Sequence, residues 1–383
     1  MTQLKKILVK LISFDTVSRH SNLDLIKYVQ NYLSDLGIQS HLVPNAEKTK
    51  TNLYATIGPN IAGGIILSGH TDVVPVDGQN WDTDPFDMVE KDGKYFGRGT
   101  CDMKGYLANC LAAVPAMLAA DLKRPIHLCF SYDEEIGCIG AVDLVKDIVK
   151  NLPPVSAVFV GEPTSMQVAN LHKSVNSIVT KITGVEAHSS KVNLGVSANF
   201  AAAKLINFLS DELDNFRANP QTDLTSLEPN FSTLNIGTLH GGSASNIIPK
   251  YCEFSTDLRT VPQDNPDTCI HNYKQYSQII EQQMQSQNPI CKVEILDKAS
   301  APGLAPEENG EAEKLALAWS SNDKAIAVAY GTEAGLFQKA GYSTIVCGPG
   351  SIDQAHRPNE FVEIAQLEKC AIFIEKLIEH SSI

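Results

Sequence analysis

Histidines and carboxylates follow short apolar runs at several places in this chain. The run Ile-Ile-Leu-Ser-Gly leads into His70 and Asp72, and the run Leu-Cys-Phe-Ser-Tyr leads into Asp133, Glu134 and Glu135. Histidine nitrogens mixed with carboxylate oxygens suit zinc, cobalt or manganese better than calcium or magnesium. These residue types therefore indicate metal chemistry, provided that the fold brings them together.

Three further segments offer ligands of the same kind. Ala-Val-Phe-Val-Gly runs into Glu162, Ile-Val-Cys-Gly-Pro-Gly precedes Asp353 and His356, and Asp102 lies just before a predicted helix. Clustered carboxylates repel one another, and some stay protonated at neutral pH unless a cation joins them. The candidates outnumber the ligands of a single four-coordinate ion, so we interpret them as a site for two ions that share a carboxylate.

Each of these segments also has a simpler explanation. A lone His-x-Asp is common by chance, and the pair Glu134 and Glu135 could simply begin a helix, where acids complement the dipole. Glu162 before a proline could be only a turn, and His356 could be a surface histidine. The metal interpretation is favoured because nearly all the segments lie at ends of predicted strands.

Two-sided apolar strands alternate with helices over much of the chain, which predicts an α/β domain with a mainly parallel sheet. Ligands of such sheets bind outside the carboxyl ends of the strands, where these carboxylates and histidines fall. The predicted strands are 65–68, 126–131, 155–160, 325–329 and 344–347, and the helices between them cover about 104–120, 140–150 and 334–339.

The middle of the chain has a different pattern. Residues 176–184, 234–239 and 251–258 alternate between apolar and polar, as strands exposed on one face do, and two helical segments separate them. This predicts a two-layer α+β domain, at 177–292, inserted into a discontinuous catalytic domain of residues 1–176 plus 293–383.

Composition excludes several classes of protein. The 383 residues include 44 acidic and 31 basic side chains, for a net charge of −13, which disfavours nucleic acid or an anionic membrane surface as a partner. The longest apolar stretch, 107–120, is too short to span a membrane. The nine cysteines form no Cys-x-x-Cys pair and suit reduced core residues, which predicts a cytoplasmic protein. Phosphate-binding loops and Gly-x-Ser-x-Gly are missing from the sequence.

Five motifs resemble, in order, the metal motifs of the dinuclear zinc amidohydrolases. They are Ser-Gly-His-Thr-Asp-Val-Val-Pro, Gly-Arg-Gly-Thr-Cys-Asp-Met-Lys-Gly, Asp-Glu-Glu-Ile-Gly, Gly-Glu-Pro-Thr and Gln-Ala-His. This family includes acetylornithine deacetylases, succinyl-diaminopimelate desuccinylases, aminoacylases and related carboxypeptidases. The resemblance implies that His70 and Glu162 bind one zinc ion and that Glu135 and His356 bind the other, with Asp102 bridging them.

The same resemblance implies a hydrolytic mechanism and a partner. Glu134 would be the general base and later the general acid, and Asp72 would orient His70. Two divalent ions per subunit are implied, with zinc as the expected metal and cobalt as a substitute. A homodimer is implied as well, with the inserted domain acting as its dimerisation and lid domain.

The inserted domain carries candidates of its own. Gly184-Val-Glu-Ala-His188 resembles the family motif whose histidine reaches a neighbouring active site and stabilises the oxyanion. The segments that end at Asn246 and Arg259 resemble those that bind the substrate, and a guanidinium suits an α-carboxylate. His188 could instead be a surface residue, and Arg259 could be half of a structural ion pair.

Two late segments, Tyr330-Gly-Thr-Glu-Ala-Gly335 and 348–360, resemble the acetylornithine deacetylases most. That resemblance implies hydrolysis of N2-acetyl-L-ornithine to L-ornithine and acetate, a step of arginine biosynthesis. Gly331, Thr332 and Glu333 would contact the substrate, and Glu333 is expected to face its free amino group. Alternatively, Glu333 only begins the helix after it.

Other activities of the family stay open at this point. A desuccinylase, aminoacylase, dipeptidase or carboxypeptidase would share every metal ligand. A non-catalytic receptor on the same fold is disfavoured, because both the ligand set and Glu134 are intact.

Overall fold

The computed structural model describes residues 1–222, 224 and 226–383, which form two compact units. Unit 1 comprises Met1–His172 and Leu304–Ile383, and unit 2 comprises Lys173–Gly303. In chain order the helices and strands are α1 (Gln3–Ile12), α2 (Leu23–Asp35), β1 (Ser40–Pro44), β2 (Thr51–Ile57), β3 (Gly64–His70), β4 (Val89–Lys91), β5 (Lys94–Phe96), α3 (Lys104–Ala119), β6 (Ile126–Ser131), α4 (Ile139–Asn151), β7 (Val155–Pro163), β8 (Ala169–His172), β9 (Val175–Thr183), β10 (Ala187–His188), α5 (Ala198–Ala218), β11 (Thr233–Gly241), β12 (Ile247–Ile248), β13 (Tyr251–Arg259), α6 (Pro266–Gln285), β14 (Lys292–Ala301), α7 (Glu311–Trp319), β15 (Ile326–Val328), α8 (Ala334–Lys339), β16 (Thr344–Gly348), β17 (Phe361–Glu363) and α9 (Ile364–Ser381).

Unit 1 is built on an eight-stranded sheet of order β1-β2-β6-β3-β7-β16-β8-β15. Strand β3 pairs in parallel with both β6 and β7, and β7 pairs in parallel with β16. The pairs β1–β2 and β2–β6 are antiparallel. The pair β16–β8 is antiparallel as well. The predicted α/β class with a mainly parallel sheet is therefore confirmed for the central strands, and the sheet is mixed on either side of them.

Helices cover both faces of this sheet, which explains why its central strands are mainly apolar. Every residue of β3 is buried. Ile65 and Leu67 pack with α1, α3 and α9 on one face, whereas Ile66 packs with α4 and α8 on the other. Alternate residues of a strand point to opposite faces, so a strand covered on both sides is mainly apolar, and its few polar side chains, such as Ser68, are buried.

Unit 2 is a two-layer α+β unit with its own core. Its four-stranded antiparallel sheet has the order β11-β13-β9-β14. Buried residues of the sheet, such as Ile182 and Phe254, pack against Leu205 of α5 and Tyr273 of α6. The compact unit is wider than the predicted range 177–292 because β14, which the sequence pattern did not reveal, completes the sheet.

The cysteines and the apolar helices of the structure bear on two expectations from the sequence. All nine cysteines are buried and free. Among the described residues, no helix has the length and apolar character needed to cross a membrane. Helix α3 contains most of the longest apolar stretch; it is buried over residues 104–111, and its second half is partly exposed.

Candidate metal centre

Three neighbouring strands bring the candidate residues to one edge of the sheet in unit 1. Strand β3 ends at His70, β7 carries Glu162 next to its last residue, and β6 ends shortly before Glu134 and Glu135. Because β6, β3 and β7 are adjacent and parallel, their carboxyl ends lie at the same edge. This is where open α/β sheets bind their ligands.

The first group of possible metal ligands comprises His70, Asp102 and Glu162, all of them buried. Nε2 of His70 lies 3.0 Å from Oδ1 of Asp102 and 3.4 Å from Oε1 of Glu162. Nδ1 of the same ring lies 2.9 Å from the backbone oxygen of Asp72. A proton on Nδ1 satisfies that carbonyl and leaves the Nε2 lone pair directed at the two carboxylates, where a cation would stabilise all three groups.

The second group comprises Asp102, Glu135 and His356. Nε2 of His356 lies 3.0 Å from Oε2 of Glu135 and 3.3 Å from Oδ2 of Asp102. Asp102 thus turns Oδ1 to the first group and Oδ2 to the second. This arrangement is the one that a bridging carboxylate needs, and the bridging role itself stays a prediction.

Burial and mutual repulsion shift the pKa values of the clustered carboxyl groups. Burial, followed by the charge of Asp102, raises the pKa of Glu135 to about 7 and that of Glu162 to about 8. Hydrogen bonds to Asp102 and Glu135 raise the pKa of His356 to about 10. Burial disfavours the charged ring of His70, but Glu162 and Asp102 outweigh it and hold its pKa well above the ordinary value.

The donor atoms of this cluster fit a divalent cation. Oε1 of Glu135 and Oε1 of Glu162 are buried and accept no hydrogen bond. A buried acceptor without a partner costs about 1–3 kcal/mol, and more when it is charged. A cation would satisfy both oxygens and remove the repulsion between the carboxylates, so the residues present are suited to hold metal.

The backbone oxygen of Asp72, and not its carboxylate, contacts the ring of His70, and the orienting role expected of Asp72 stays a prediction. Its Oδ1 lies 3.6 Å from Nδ1 of His70, too far for a hydrogen bond. The carboxylate instead accepts hydrogen bonds from the Ser18 hydroxyl at 2.6 Å and from the backbone N–H groups of Glu134 and Glu135 at 3.1 and 3.3 Å. Strand β3 ends at His70, so the alternation that would place both side chains together does not continue to Asp72.

Glu134 belongs to neither ligand group, although it is buried beside them. Its Oε1 accepts a hydrogen bond from the Cys138 thiol at 3.1 Å. Burial, and then the charge of Glu162, raise the pKa of Glu134 well above its ordinary value. A carboxyl group so placed can take part in proton transfer, and its role as acid and base stays a prediction.

The structure places Glu333 away from the expected contact with a substrate amino group. Its side chain is completely buried, and its oxygens accept hydrogen bonds from the hydroxyls of Ser68 and Ser131, both at 2.6 Å. The reason is that α8 begins directly after Glu333 and is buried against the sheet. Thr332 is buried too and accepts a hydrogen bond from the N–H of Ala334. Gly331 is partly exposed.

The remaining predicted site residues lie in unit 2. His188 is exposed in β10, and its Nδ1 lies 2.8 Å from the Ser190 hydroxyl. Asn246 is exposed. Nε of Arg259 donates to Asp257 at 2.9 Å, which is the ion pair considered as the alternative. Their roles in a reaction stay predictions.

Sequence reasoning missed one buried ion pair beside the ligands. Nη1 of Arg98 lies 2.7 Å from Oε2 of Glu360, and both side chains are almost completely inaccessible to solvent. Both residues stand inside the motifs around Asp102 and His356. The sequence did offer a signal for this pair, because Arg98 and Glu360 are charged residues of the motifs that have no role as ligands.

Two ligand groups that share Asp102 lie at the carboxyl edge of an α/β sheet, one buried and one that includes the exposed His356, with the buried Glu134 beside them. This arrangement is the kind that a metal-dependent hydrolase uses. The sequence profile of peptidase family M20/M25/M40 matches residues 66–380, and the chain belongs to this family. It is 30% identical to an acetylornithine deacetylase of Myxococcus xanthus over 98% of this chain and 97% of that protein. It is 33% identical to an acetylornithine deacetylase of Proteus mirabilis (strain HI4320) over 96% and 92% of the two chains.

A solved structure shows the same fold over the whole chain. The M20 family metallo-carboxypeptidase Sso-CP2 from Sulfolobus solfataricus superimposes with a TM-score of 0.81 at 19% identity, covering 100% of both chains. The predicted resemblance to the acetylornithine deacetylase family, the fold class and the assignment as a hydrolase are thereby confirmed.

Proposed function

We propose that this protein is a metal-dependent deacetylase that hydrolyses N2-acetyl-L-ornithine to L-ornithine and acetate. The carboxylate of Asp102, turned towards both ligand groups, is the observation that carries the metal-dependent part of the proposal. The similarity to two acetylornithine deacetylases over nearly the whole chain supports the choice of substrate.

The proposed metal content is two divalent ions per subunit, zinc in the first place and cobalt as a substitute. His70 and Glu162 would hold one ion, Glu135 and His356 the other, and Asp102 would contact both. When bound, such ions supply Lewis acidity to the acyl oxygen and lower the pKa of water.

Glu134 is the proposed acid and base of the reaction. Its carboxylate accepts a proton from the attacking water and later delivers that proton to the leaving nitrogen. Burial raises the pKa of Glu134, and a raised pKa makes its carboxylate a stronger base than one in water. Asp72 holds the backbone of Glu134 and so fixes the direction from which its carboxylate approaches.

Residues outside the ligand set would position the substrate. We propose that His188 donates a hydrogen bond to the oxyanion and that Arg259 binds the α-carboxylate through its planar guanidinium. Asn246 and Gly331, which are exposed and partly exposed, complete the proposed substrate contacts.

A homodimer is proposed as the working form, with unit 2 as the dimerisation and lid domain. Large apolar side chains exposed on unit 2 support this assignment, among them Val192, Leu194 and Phe200, which are 72%, 60% and 78% exposed. Val192 and Phe200 line the same cavity of unit 2, and exposed apolar side chains that are grouped mark interaction surfaces. Sedimentation of the full chain measures the oligomeric state directly.

A substrate panel tests the proposed function. Zinc-loaded protein is assayed for product release from N2-acetyl-L-ornithine, from an acetylated amino acid with a neutral side chain, from succinyl-diaminopimelate and from dipeptides. We expect the highest kcat/KM with acetylornithine, loss of activity after chelation and recovery when zinc is restored. A preference for dipeptides would overturn the proposed substrate, and activity unaffected by chelation would overturn the metal mechanism.

A further inference from the structure

Glu360 is a buried carboxylate whose hydrogen bonds go mainly to backbone. It lies directly before β17 and is 1% exposed. Oε1 accepts from the N–H groups of Cys101 and Asp102 at 2.9 and 3.1 Å. Oε2 accepts from the N–H of Gly99 at 3.0 Å and from Arg98 at 2.7 Å. One side chain therefore holds the loop that presents Asp102 to both ligand groups.

Arg98 extends the same network to the segment of His356. Its Nη1 also donates to the backbone oxygen of Arg357 at 3.3 Å, and its Nη2 donates to Oε1 of Gln79 at 2.6 Å. Nε2 of Gln79 in turn donates to the backbone oxygen of His356 at 3.0 Å. Two consecutive backbone carbonyl groups, those of His356 and Arg357, are thus held by hydrogen bonds.

Both anchored segments need support. His356 has a φ of 62°, in the left-handed region that side chains other than glycine rarely adopt. A residue keeps such a conformation only when its surroundings over-determine it. Asp102 lies in a loop between β5 and α3, outside any regular element whose ladder could fix it.

We propose that Glu360, together with Arg98, is a positioning residue of the metal centre. It holds Asp102 and His356, which belong to separate segments of the chain, at the separation that the ligand group with Glu135 requires. The inference rests on the proposed function only in taking these three residues as metal ligands, and it is independent of the substrate.

The test is the affinity of the metal-free protein for zinc ions, measured by competition with a chromogenic chelator, and the absorption spectrum of the cobalt-loaded protein. In Glu360→Gln one carboxylate oxygen becomes an NH2 group, which cannot accept a hydrogen bond. In either orientation of the amide, this NH2 group faces two N–H donors, so two of the four hydrogen bonds of Glu360 are lost. We expect at least one zinc ion to bind about 10- to 100-fold more weakly, with an altered cobalt spectrum and a folded protein by circular dichroism.

Glu307→Gln is the matched control. Oε1 of Glu307 accepts from the N–H of Thr344 at 3.1 Å and from Gln338 at 2.9 Å. This carboxylate also anchors backbone in unit 1, but at the start of β16, whereas the segment of His356 follows the end of that strand. Zinc affinity is expected to be unchanged in this variant, whatever it loses in thermal stability.

A second variant keeps the inference testable if Glu360→Gln fails to fold. Gln79→Ala leaves Glu360 in place and removes the link between Arg98 and the His356 carbonyl, together with a hydrogen bond from Trp81, at a partly exposed position. We expect this variant to bind one zinc ion more weakly. Wild-type affinity for both ions in Glu360→Gln, or in Gln79→Ala where the first variant is unfolded, would overturn the inference. A wild-type protein that binds zinc but does not hydrolyse acetylornithine would overturn the proposed function and leave this inference standing.

Discussion

The carboxylate of Asp72 accepts hydrogen bonds from the backbone N–H groups of Glu134 and Glu135, and these two neighbours point to different partners. Glu135 turns to His356, whereas Glu134 turns to the thiol of Cys138. The Asp72 carboxylate therefore holds the backbone from which both glutamates extend. Glu135 then lies where it can bind metal, and Glu134 lies where it can move a proton.

Glu134→Gln should separate these two roles. The amide keeps the shape of the side chain but cannot accept the proton of water, so kcat is expected to fall by at least about a hundredfold. Both metal ions should remain bound, because Glu134 belongs to neither ligand group. The measurement is kcat together with the metal content of the purified variant.

Glu135→Gln is the neighbouring control, since it removes a predicted ligand and should lower the metal content as well as the activity. Near-normal turnover in Glu134→Gln would contradict the assignment of the general base. Loss of metal from that variant would instead make Glu134 a ligand.

At the scale of single elements, the sequence predicted where the strands end. It did not predict the directions of the side chains that follow those ends. His70 and Glu162 could be placed because each follows a mainly apolar run that ends at the edge of the sheet. The contacts of Glu333 could not be predicted, since they depend on which face of the sheet Ser68 and Ser131 present to α8. Strand β14 escaped notice because its burial does not alternate.

Strand β6 carries a histidine in the core of the sheet, away from the metal centre. His127 is completely buried, and its Nδ1 lies 2.9 Å from the hydroxyl of Thr56 on β2. Its Nε2 is buried without a hydrogen-bond partner. Burial alone lowers the pKa of His127 from 6.5 to about 4, because a charged ring in this position would lose its hydration without gaining a counter-ion.

This lowered pKa predicts how stability depends on pH. Between pH 6.5 and about pH 4, His127 is protonated in the unfolded chain but neutral in the folded protein. The free energy of unfolding therefore falls as the pH drops through this window. The loss is of order 3 kcal/mol at its full extent. His127→Asn keeps a polar atom near Thr56 and removes the titration, so it should lose less stability between pH 7 and pH 4.5 than the wild type does.

Urea unfolding at several pH values measures this difference. The cavity left by the smaller side chain lowers stability equally at every pH, so the pH slope is the quantity to compare. Equal slopes for the two proteins would show that His127 does not titrate abnormally.

At the scale of the whole molecule, the residue at which the chain leaves unit 1, His172, is paired with the residue at which it returns, Leu304. The backbone groups of His172 and Leu304 form two hydrogen bonds with each other, at 3.0 and 3.1 Å, across an antiparallel bridge. All five predicted metal ligands belong to unit 1, whereas His188, Asn246 and Arg259 belong to unit 2. Each unit has a hydrophobic core of its own.

Replacement of residues 173–303 by a short glycine linker tests this division of roles. Because two residues paired across an antiparallel bridge are only about 5 Å apart, a few glycines can join His172 to Leu304. We expect the shortened protein to fold and to bind zinc through its five ligands. Hydrolysis of acetylornithine should be lost, since the proposed oxyanion donor and carboxylate-binding residues are removed with unit 2. Full-length His188→Ala is the control that attributes part of the loss to one side chain, and wild-type turnover by the shortened protein would exclude unit 2 from the chemistry.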